Sequence, residues 1–397
     1  MLEKKIDISQ LKEGMYVSRL DRPWVETPFL FQGFLVKGPK QIERTKKYCK
    51  FVYIDVERGR GADKYLHDDY EEVDIKELDP RKVKVEKILH IAQRKHKKIT
   101  DEIVKVMEHI KEGKHPNISI LVTEVMDMVE SMLITTDAFL LLTKLKTKDN
   151  YTYTHLISSS ILATAFGKEI GLKLEELQEL ALGCMLFDIG KIELPQEIVL
   201  KTSPLSDAEQ KLVREHVNHS IEILTRMNNI PKSVIDIARD HHERFNGSGY
   251  PYGKQGRQIP LFAQIAGIVD CYDAMTSERI FKGAYSHDQA VRDLYARANI
   301  DFHRDFIEQF VQCLGVYPSG AIVELSTGEV GIVLQQNRVR RLRPRIMIIL
   351  NRNKESNNYF PVIDLMTEIE DKDGKPLSIN RTLDPGAYGI TPEEYYL

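Results

Sequence analysis

Histidine and aspartate residues occupy inward positions of apolar helical segments, and this pattern constrains the fold more than any other feature of the chain. Five of the twelve histidines lie between His155 and His242. A buried carboxylate or imidazole is stable only when it is paired, hydrogen-bonded or bound to a metal. The chain must therefore fold so that these groups meet opposite charges that compensate them.

Residues 172–191 show the pattern most clearly. Apolar residues from Leu177 to Cys184 share one face of a predicted helix, and the next position on that face is Asp188. Lys191 follows three residues later, near enough to form a salt bridge. A buried ion pair would by itself be a sufficient structural explanation of this segment.

Four further segments repeat the pattern. A single helix is expected over 206–225, opened by a capping box of Ser206 and Glu209, with His216 on its inward face. A lone inward histidine is most often a hydrogen-bonded core residue, but five such segments need either a web of buried polar bonds or a cation. Imidazole and carboxylate ligands suit Fe, Mn, Zn or Ni better than Mg or Ca alone. The other three segments are 151–166 with His155, 233–244 with His241 and His242, and 259–277 with Asp270.

Two neighbouring stretches offer groups that could bind a ligand. The residues after His242 are ERFNGSGYP, whose glycines and proline end the helix and predict a tight loop carrying the hydroxyl of Tyr250. Arg279 and Lys282 follow the helix of Asp270. The guanidinium of Arg279 could bind a phosphate through two parallel hydrogen bonds, and the ammonium of Lys282 could bind it through its charge. For either residue alone, an exposed charged side chain without a ligand is the simpler interpretation.

These motifs resemble the HD-GYP branch of the HD-domain metal-dependent phosphohydrolases. His155, the FDIGK segment, His216, HHERFNGSGYP and VDCYDAMTSERIFK match that family in order and interval over about residues 150–290. HHE followed by GxGYP is a highly specific signature. Members of the family are helical bundles that hold two or three metals, often iron or manganese. Their substrates are bacterial cyclic dinucleotides, chiefly cyclic di-GMP and in some members 3',3'-cyclic GMP-AMP.

The resemblance implies two divalent transition-metal ions, with Fe or Mn favoured and Zn or Ni as alternatives. It implies that Asp188 is catalytic and bridges both ions, and that Lys191 is catalytic and contacts a phosphate. Tyr250, Arg279 and Lys282 would join Lys191 in binding the substrate. The implied metal ligands are His155, Asp188, His216, His241, His242 and Asp270.

One position departs from the family pattern. The first residue of the HD pair is histidine in the family and Phe187 here, and phenylalanine cannot bind a metal. Two functions from different classes therefore stay open: metal-dependent hydrolysis of a cyclic dinucleotide to a linear one, and a silenced domain that binds a cyclic dinucleotide or a protein. A third metal is not expected, because Tyr151 stands where some three-metal members carry glutamate. A purely structural scaffold would leave the buried acids and histidines paired only among themselves.

The expected fold class is mainly α, an HD-type helical bundle with a small α+β N-terminal domain and a short β-rich C-terminal segment. Strand-like stretches before residue 60 and after residue 318 flank the helical pattern. The predicted division is 1–60 for the N-terminal domain, 61–115 for a linker and connecting helix, 116–317 for the HD-GYP helical domain, and 318–397 for the β-rich segment and tail.

Composition narrows the partners and the compartment. Lys+Arg 56 against Asp+Glu 59 gives a net charge of −3, which argues against binding a nucleic-acid polymer. No stretch of about 20 apolar residues predicts a membrane span. Four separated cysteines without a CxxC motif fit a reducing compartment, and the resemblance implies the bacterial cytoplasm. The expected partner is a cyclic dinucleotide, with a protein partner for residues 1–60 as a further option.

Overall fold

Three hydrophobic clusters organise the chain: one within the first 55 residues, one among the helices, and one in a C-terminal sheet. For residues 85–87, 151, 152 and 199 the structure describes the backbone alone. The computed structural model describes residues 3–22, 34–36, 38–55, 85–144, 151–199, 201, 203–277, 284–337, 339–356, 360–371, 374–392 and 395.

The N-terminal residues form the small α+β unit that the sequence predicts. Alternating burial along the strands places Val17, Val52 and Ile54 in the first cluster, beneath the helix. The strands pair antiparallel in the order β1-β4-β2-β3. The elements are β1 (Glu3–Asp7), β2 (Tyr16–Leu20), β3 (Phe34–Leu35), α1 (Pro39–Tyr48) and β4 (Phe51–Asp55).

The middle of the chain is a helical bundle, as expected. Helix α5 is its central element, because it packs against α6, α11 and α13 and buries Leu156, Ile161 and Phe166 completely. Helix α2 adds Ile88 and Ile103 to the same core, so it is packed into the bundle. The helices are α2 (Val85–Lys111), α3 (Ser119–Ile134), α4 (Thr136–Leu142), α5 (Tyr151–Glu169), α6 (Leu174–Leu186), α7 (Gln196–Val199), α8 (Asp207–Arg214), α9 (His216–Arg226), α10 (Lys232–Asp240), α11 (Leu261–Thr276), α12 (His287–Ala296) and α13 (Arg304–Leu314).

Helix α6 ends at Leu186, earlier than the apolar spacing predicts. The chain leaves the helical conformation at Asp188, whose φ is −103° and ψ 12°, and continues as a 3-10 helix over Ile189–Glu193. Gly190 follows in this 3-10 helix, and a Cβ there would lie 2.2 Å from the carbonyl oxygen of His216. The junction therefore packs backbone to backbone against α9, and only glycine permits that approach.

The single helix expected over 206–225 is wrong, because the structure divides it into α8 and α9 at Glu215. The capping box at its start is present: Ser206 Oγ accepts from the amide of Glu209, and the Glu209 carboxylate accepts from the amide of Ser206. At the break, the carbonyl of Val213 accepts a hydrogen bond from Nδ1 of His216 at 2.6 Å. A side chain thus uses a carbonyl that a continuous helix would have bonded to its own backbone.

The C-terminal segment is a five-stranded antiparallel sheet in the order β8-β7-β6-β5-β9. Its strand β6 is buried on both faces: Ile332 and Leu334 join the helical core, and Val333 joins the C-terminal cluster. The sheet therefore packs directly on the bundle. Nowhere in the part of the chain that the structure describes is a helix both long and apolar enough to cross a bilayer. The strands are β5 (Ile322–Leu325), β6 (Val330–Gln335), β7 (Arg345–Leu350), β8 (Val362–Asp364) and β9 (Ile379–Thr382).

Phe166 tests the central position of α5. It is fully buried, with its ring centroid 5.2 Å from that of Phe310 on α13. Replacing Phe166 with alanine should lower the free energy of unfolding by about 3–5 kcal/mol, because a large cavity opens in the core. Phe360, 37% exposed, is the matched control, and its alanine variant should lose much less. Urea denaturation followed by circular dichroism measures both, and equal losses would contradict the central position of α5.

Candidate metal centre

Ligand-type side chains from five parts of the bundle meet in one buried cluster. They come from α5, the α6 junction, α9, the turn after α10, and α11. Two groups share Asp188, and within each group the ligand atoms lie within 4.8 Å of one another. The first group is Asp188, His216, His241 and His242, and the second is His155, Asp188 and Asp270.

The carboxylate of Asp188 faces both groups with different oxygens. Its Oδ1 lies 3.2 Å from Nε2 of His216 and 3.6 Å from Nε2 of His241. Its Oδ2 lies 3.7 Å from Nε2 of His155 and accepts a hydrogen bond from Nζ of Lys191. Asp188 therefore stands where a bridging carboxylate between two cations would stand.

Backbone carbonyls fix which nitrogen of each histidine faces the cluster. Nδ1 of His216 lies 2.6 Å from the carbonyl of Val213, and Nδ1 of His241 lies 3.0 Å from the carbonyl of Ala238. A carbonyl oxygen only accepts, so Nδ1 carries the hydrogen in both rings. Each Nε2 then presents a lone pair to the cluster, which is the arrangement found in metal-binding histidines.

Three buried atoms at the centre have no hydrogen-bond partner among the described residues: Oδ1 of Asp188, Nε2 of His216 and Nε2 of His241. All three are acceptors, so their proximity cannot produce a hydrogen bond. An unsatisfied buried polar atom costs about 1–3 kcal/mol. A cation at this point would satisfy all three atoms, and the donor set therefore fits a metal ion.

The ionisation of these groups also suits a cation. Burial raises the pKa of Asp188, but the charge of Lys191 is the largest of the influences that bring this pKa well below its usual range. Burial lowers the pKa of His155, but hydrogen bonds with Asp270 and Asp273 outweigh it and raise this pKa to about 9. The acids are therefore ionised and attract positive charge to this part of the core, and His155 must release its Nε2 proton before that nitrogen can bind a metal ion.

Phe187 fills the position beside the bridging carboxylate. It is fully buried, with its ring centroid 4.7 Å from that of His241 in an edge-on arrangement and 5.8 Å from that of His155. The side chain at this position therefore reaches the space between the two ligand groups. An aromatic ring there adds packing and contributes no lone pair.

Asp273 is a member of the site that the sequence did not reveal. Its Oδ2 lies 2.7 Å from Nδ1 of His155, and both side chains are buried. A carboxylate in such a contact orients the imidazole and makes it more basic, as it does for histidines that bind metals. Its spacing from Asp270, three residues along α11, was the available signal, since residues at that spacing share a helix face.

Glu243 is a second such residue, and it fixes the loop that carries Tyr250. Its carboxylate is buried and accepts hydrogen bonds from the amide of Tyr252 at 2.7 Å and the amide of Lys254 at 2.9 Å. Gly249 lets the loop fold back, since a Cβ there would lie 2.3 Å from the amide nitrogen of Arg244. No spacing in the sequence predicts this contact, because the donors are amides brought near by the turn.

Of the four predicted substrate-binding residues, the structure describes Tyr250 and Lys191. Tyr250 stacks on the ligand-type residue His242, with 4.6 Å between ring centroids and 25° between planes. Lys191 keeps 32% of its side chain exposed although its ammonium contacts the buried Asp188, so this side chain connects the cluster with the surface. Arg279 and Lys282 lie outside the described residues.

Family models match three parts of the chain. The HD domain matches residues 129–304, a domain of unknown function (DUF3391) matches residues 3–119, and a KOW domain associated with HD domain matches residues 322–385. The DUF3391 match contains the N-terminal hydrophobic cluster, the HD match contains much of the helical cluster, and the KOW match contains the C-terminal cluster.

Individual proteins are similar over different lengths. Cyclic di-GMP phosphodiesterase PA4108 of Pseudomonas aeruginosa is 30% identical over 375 residues, covering 91% of this chain and 89% of that protein. The 3'3'-cGAMP-specific phosphodiesterase 1 of Vibrio cholerae is 33% identical over 155 residues, covering 39% of this chain and 36% of that protein. Bd1817, an HDG"Y"P protein from Bdellovibrio bacteriovorus, shares the fold at a TM-score of 0.50 and 16% identity, over 79% of this chain and 99% of that one. The chain belongs to the HD-GYP branch of the HD-domain family.

Asp273→Asn tests the positioning contact with His155. The amide loses the negative charge that holds the Nδ1 hydrogen, so affinity for Mn²⁺ should fall by about 10- to 100-fold. Competition with a fluorescent chelator measures this affinity without any need for turnover. Asp293→Asn is the control, because Asp293 pairs with Arg297 on a half-exposed surface. Unchanged Mn²⁺ affinity in a folded Asp273→Asn protein would contradict the role.

Proposed function

We propose that this protein hydrolyses a phosphodiester bond of a bacterial cyclic dinucleotide in a metal-dependent reaction. Water would add across one P–O3' bond and release a linear dinucleotide. Cyclic di-GMP is the favoured substrate and 3',3'-cyclic GMP-AMP the second, in line with the names of the relatives. The observation that carries the proposal is the shared carboxylate of Asp188 between two groups of ligand atoms.

The ligand set for two divalent ions follows from these two groups. Asp188 would belong to both ions, Fe or Mn being favoured and Zn or Ni the alternatives. When bound, such a pair of ions activates water and neutralises charge on the phosphate oxygens. One ion would be held by His216, His241 and His242 and the other by His155 and Asp270, each together with Asp188.

The surrounding residues would orient the substrate. The ammonium of Lys191, on a partly exposed side chain and next to Asp188, would contact a phosphate oxygen and stabilise the charge that grows there. Tyr250, held on His242 by the loop, would shape the edge of the site. Arg279 and Lys282 are retained as phosphate contacts on the strength of the family resemblance.

The rest of the chain is divided by the strand and helix patterns of its sequence. We propose the division 1–60, 61–115, 116–317 and 318–397, with residues 1–60 offering a surface to a protein partner. The bacterial cytoplasm, where cyclic dinucleotides act, is the proposed location.

Phe187 supports a second candidate function. Its buried ring occupies the position at which the family carries a ligand histidine, and it lies within ring contact of His155 and His241. The domain would then bind a cyclic dinucleotide or a protein without cleaving it. Three protein ligands are still enough for a catalytic metal with open positions, and for that reason hydrolysis is favoured.

Turnover by the purified full-length protein separates the two candidates. The protein is stripped with a chelator, reloaded anaerobically with Mn²⁺ or Fe²⁺, and incubated with each cyclic dinucleotide while products are followed by chromatography. Hydrolysis should need the metal and should be lost in Asp188→Ala, together with metal binding. Nucleotide binding without turnover under every metal condition would establish the silenced domain instead. Absence of both would refute the two candidates together.

Phe187→His should restore the missing ligand. We expect metal content to rise toward two ions per chain and turnover to rise on the order of 10-fold, because an imidazole adds a lone pair beside Asp188. Phe187→Leu is the matched control, since it removes the ring without supplying a ligand. Elemental analysis and initial rates measure both variants. Equal gains in the two variants would mean that the ring obstructs the site and that the lost ligand is unimportant.

A further inference from the structure

Arg214, the last residue of α8, extends the candidate site beyond the metal ligands. Its guanidinium carbon lies 4.7 Å from the ring centroid of Tyr250, and Tyr250 in turn stacks on His242. The three side chains form a stack that leads from the metal-ligand group to the surface, where Arg214 is exposed. The guanidinium is thus two stacking layers away from a ligand imidazole.

The charge of Arg214 is not neutralised by any acid among the described residues, whose ion pairs do not include it. Its neighbour Glu215 is occupied by a hydrogen bond from Asn218 at 2.7 Å. Other arginines of the bundle are paired differently: Arg226 with Glu222, Arg239 with Asp236 and Asp240, Arg297 with Asp293 and Asp301, and Arg304 with Glu308.

The stack holds this free charge in a defined place. A guanidinium over an aromatic face is attracted by the ring and loses much of its conformational freedom. Its N–H donors remain available, because no carboxylate among the described residues takes them. Arginine in this state suits a phosphate, which it can bind through two parallel hydrogen bonds.

A cyclic dinucleotide carries two phosphodiesters, and under the proposed function the metal-ligand cluster with Lys191 would hold the one being cleaved. We propose that Arg214 binds the second, uncleaved phosphodiester and so selects cyclic dinucleotides over simpler phosphate esters. This assignment rests on the proposed function and adds to it a residue that determines specificity. The negative charge of that phosphodiester is the partner that the guanidinium lacks.

Comparing two substrates tests the assignment. Arg214→Ala in the full-length, Mn²⁺-loaded protein should reduce kcat/KM for cyclic di-GMP by about 10-fold or more, mainly through KM, since a charge-assisted hydrogen bond is lost. Bis(p-nitrophenyl) phosphate has one phosphodiester, so its kcat/KM should fall much less. Lys211→Ala, on the same turn of α8 and exposed, is the control and should change neither value. Equal losses for the two substrates, or no loss for cyclic di-GMP, would overturn the assignment.

Arg214→Lys tests whether the contact depends on positive charge. A lysine supplies a point charge, which recovers part of the affinity for a phosphate although it lacks the paired hydrogen bonds of the guanidinium. Partial recovery therefore supports the assignment, and a loss as large as that of alanine would overturn it.

Calorimetric binding of cyclic di-GMP keeps this test separate from the proposed function. If the wild-type protein binds without turnover, hydrolysis fails while a Kd about 10-fold weaker in Arg214→Ala still supports the phosphate contact. If the wild type turns over and Arg214→Ala keeps both its Kd and its KM, the assignment of Arg214 fails alone. If the wild type neither binds nor turns over either nucleotide, both fail.

Discussion

The buried carboxylate of Asp188 is the constraint on which the rest of the structure depends. Its burial is unfavourable unless positive charge or hydrogen bonds compensate it, and Lys191 supplies only part of that compensation on one oxygen. The other oxygen faces Nε2 of His216 and Nε2 of His241, and neither nitrogen has a hydrogen-bond partner among the residues that the structure describes. The early end of α6 and the glycine contact with α9 place this group where all five parts of the bundle meet.

The same arrangement links packing to chemistry. Backbone carbonyls and Asp273 orient the histidines of the cluster through hydrogen bonds. Glu243 fixes the loop that carries Tyr250 in the same way. Preorganisation of this kind reduces the cost of binding a metal and a substrate. Phe187 is the exception within it, because a well-packed ring replaces a group that could have taken part in the chemistry. The bundle therefore retains two groups of ligand-type side chains that share Asp188, with one such side chain fewer than the family pattern.

Helical periodicity was enough to find the ligand-type residues and the bundle, because it is a local property of the chain. His155, His216 and Asp270 stand out as polar groups on apolar faces, and the capping box at Ser206 was correct. The break at Glu215 could not be predicted, since it depends on where the ring of His216 finds a carbonyl.

The sequence by itself determined the fold class, the family and the residue types gathered at the centre. Only the tertiary structure decided that Asp273 contacts His155 and that Arg214 stacks on Tyr250. These contacts join residues from different elements, and their geometry is set by how the helices and the loop pack rather than by spacing along the chain. A sequence can specify which groups must be compensated, but the partner that compensates each one is chosen in three dimensions.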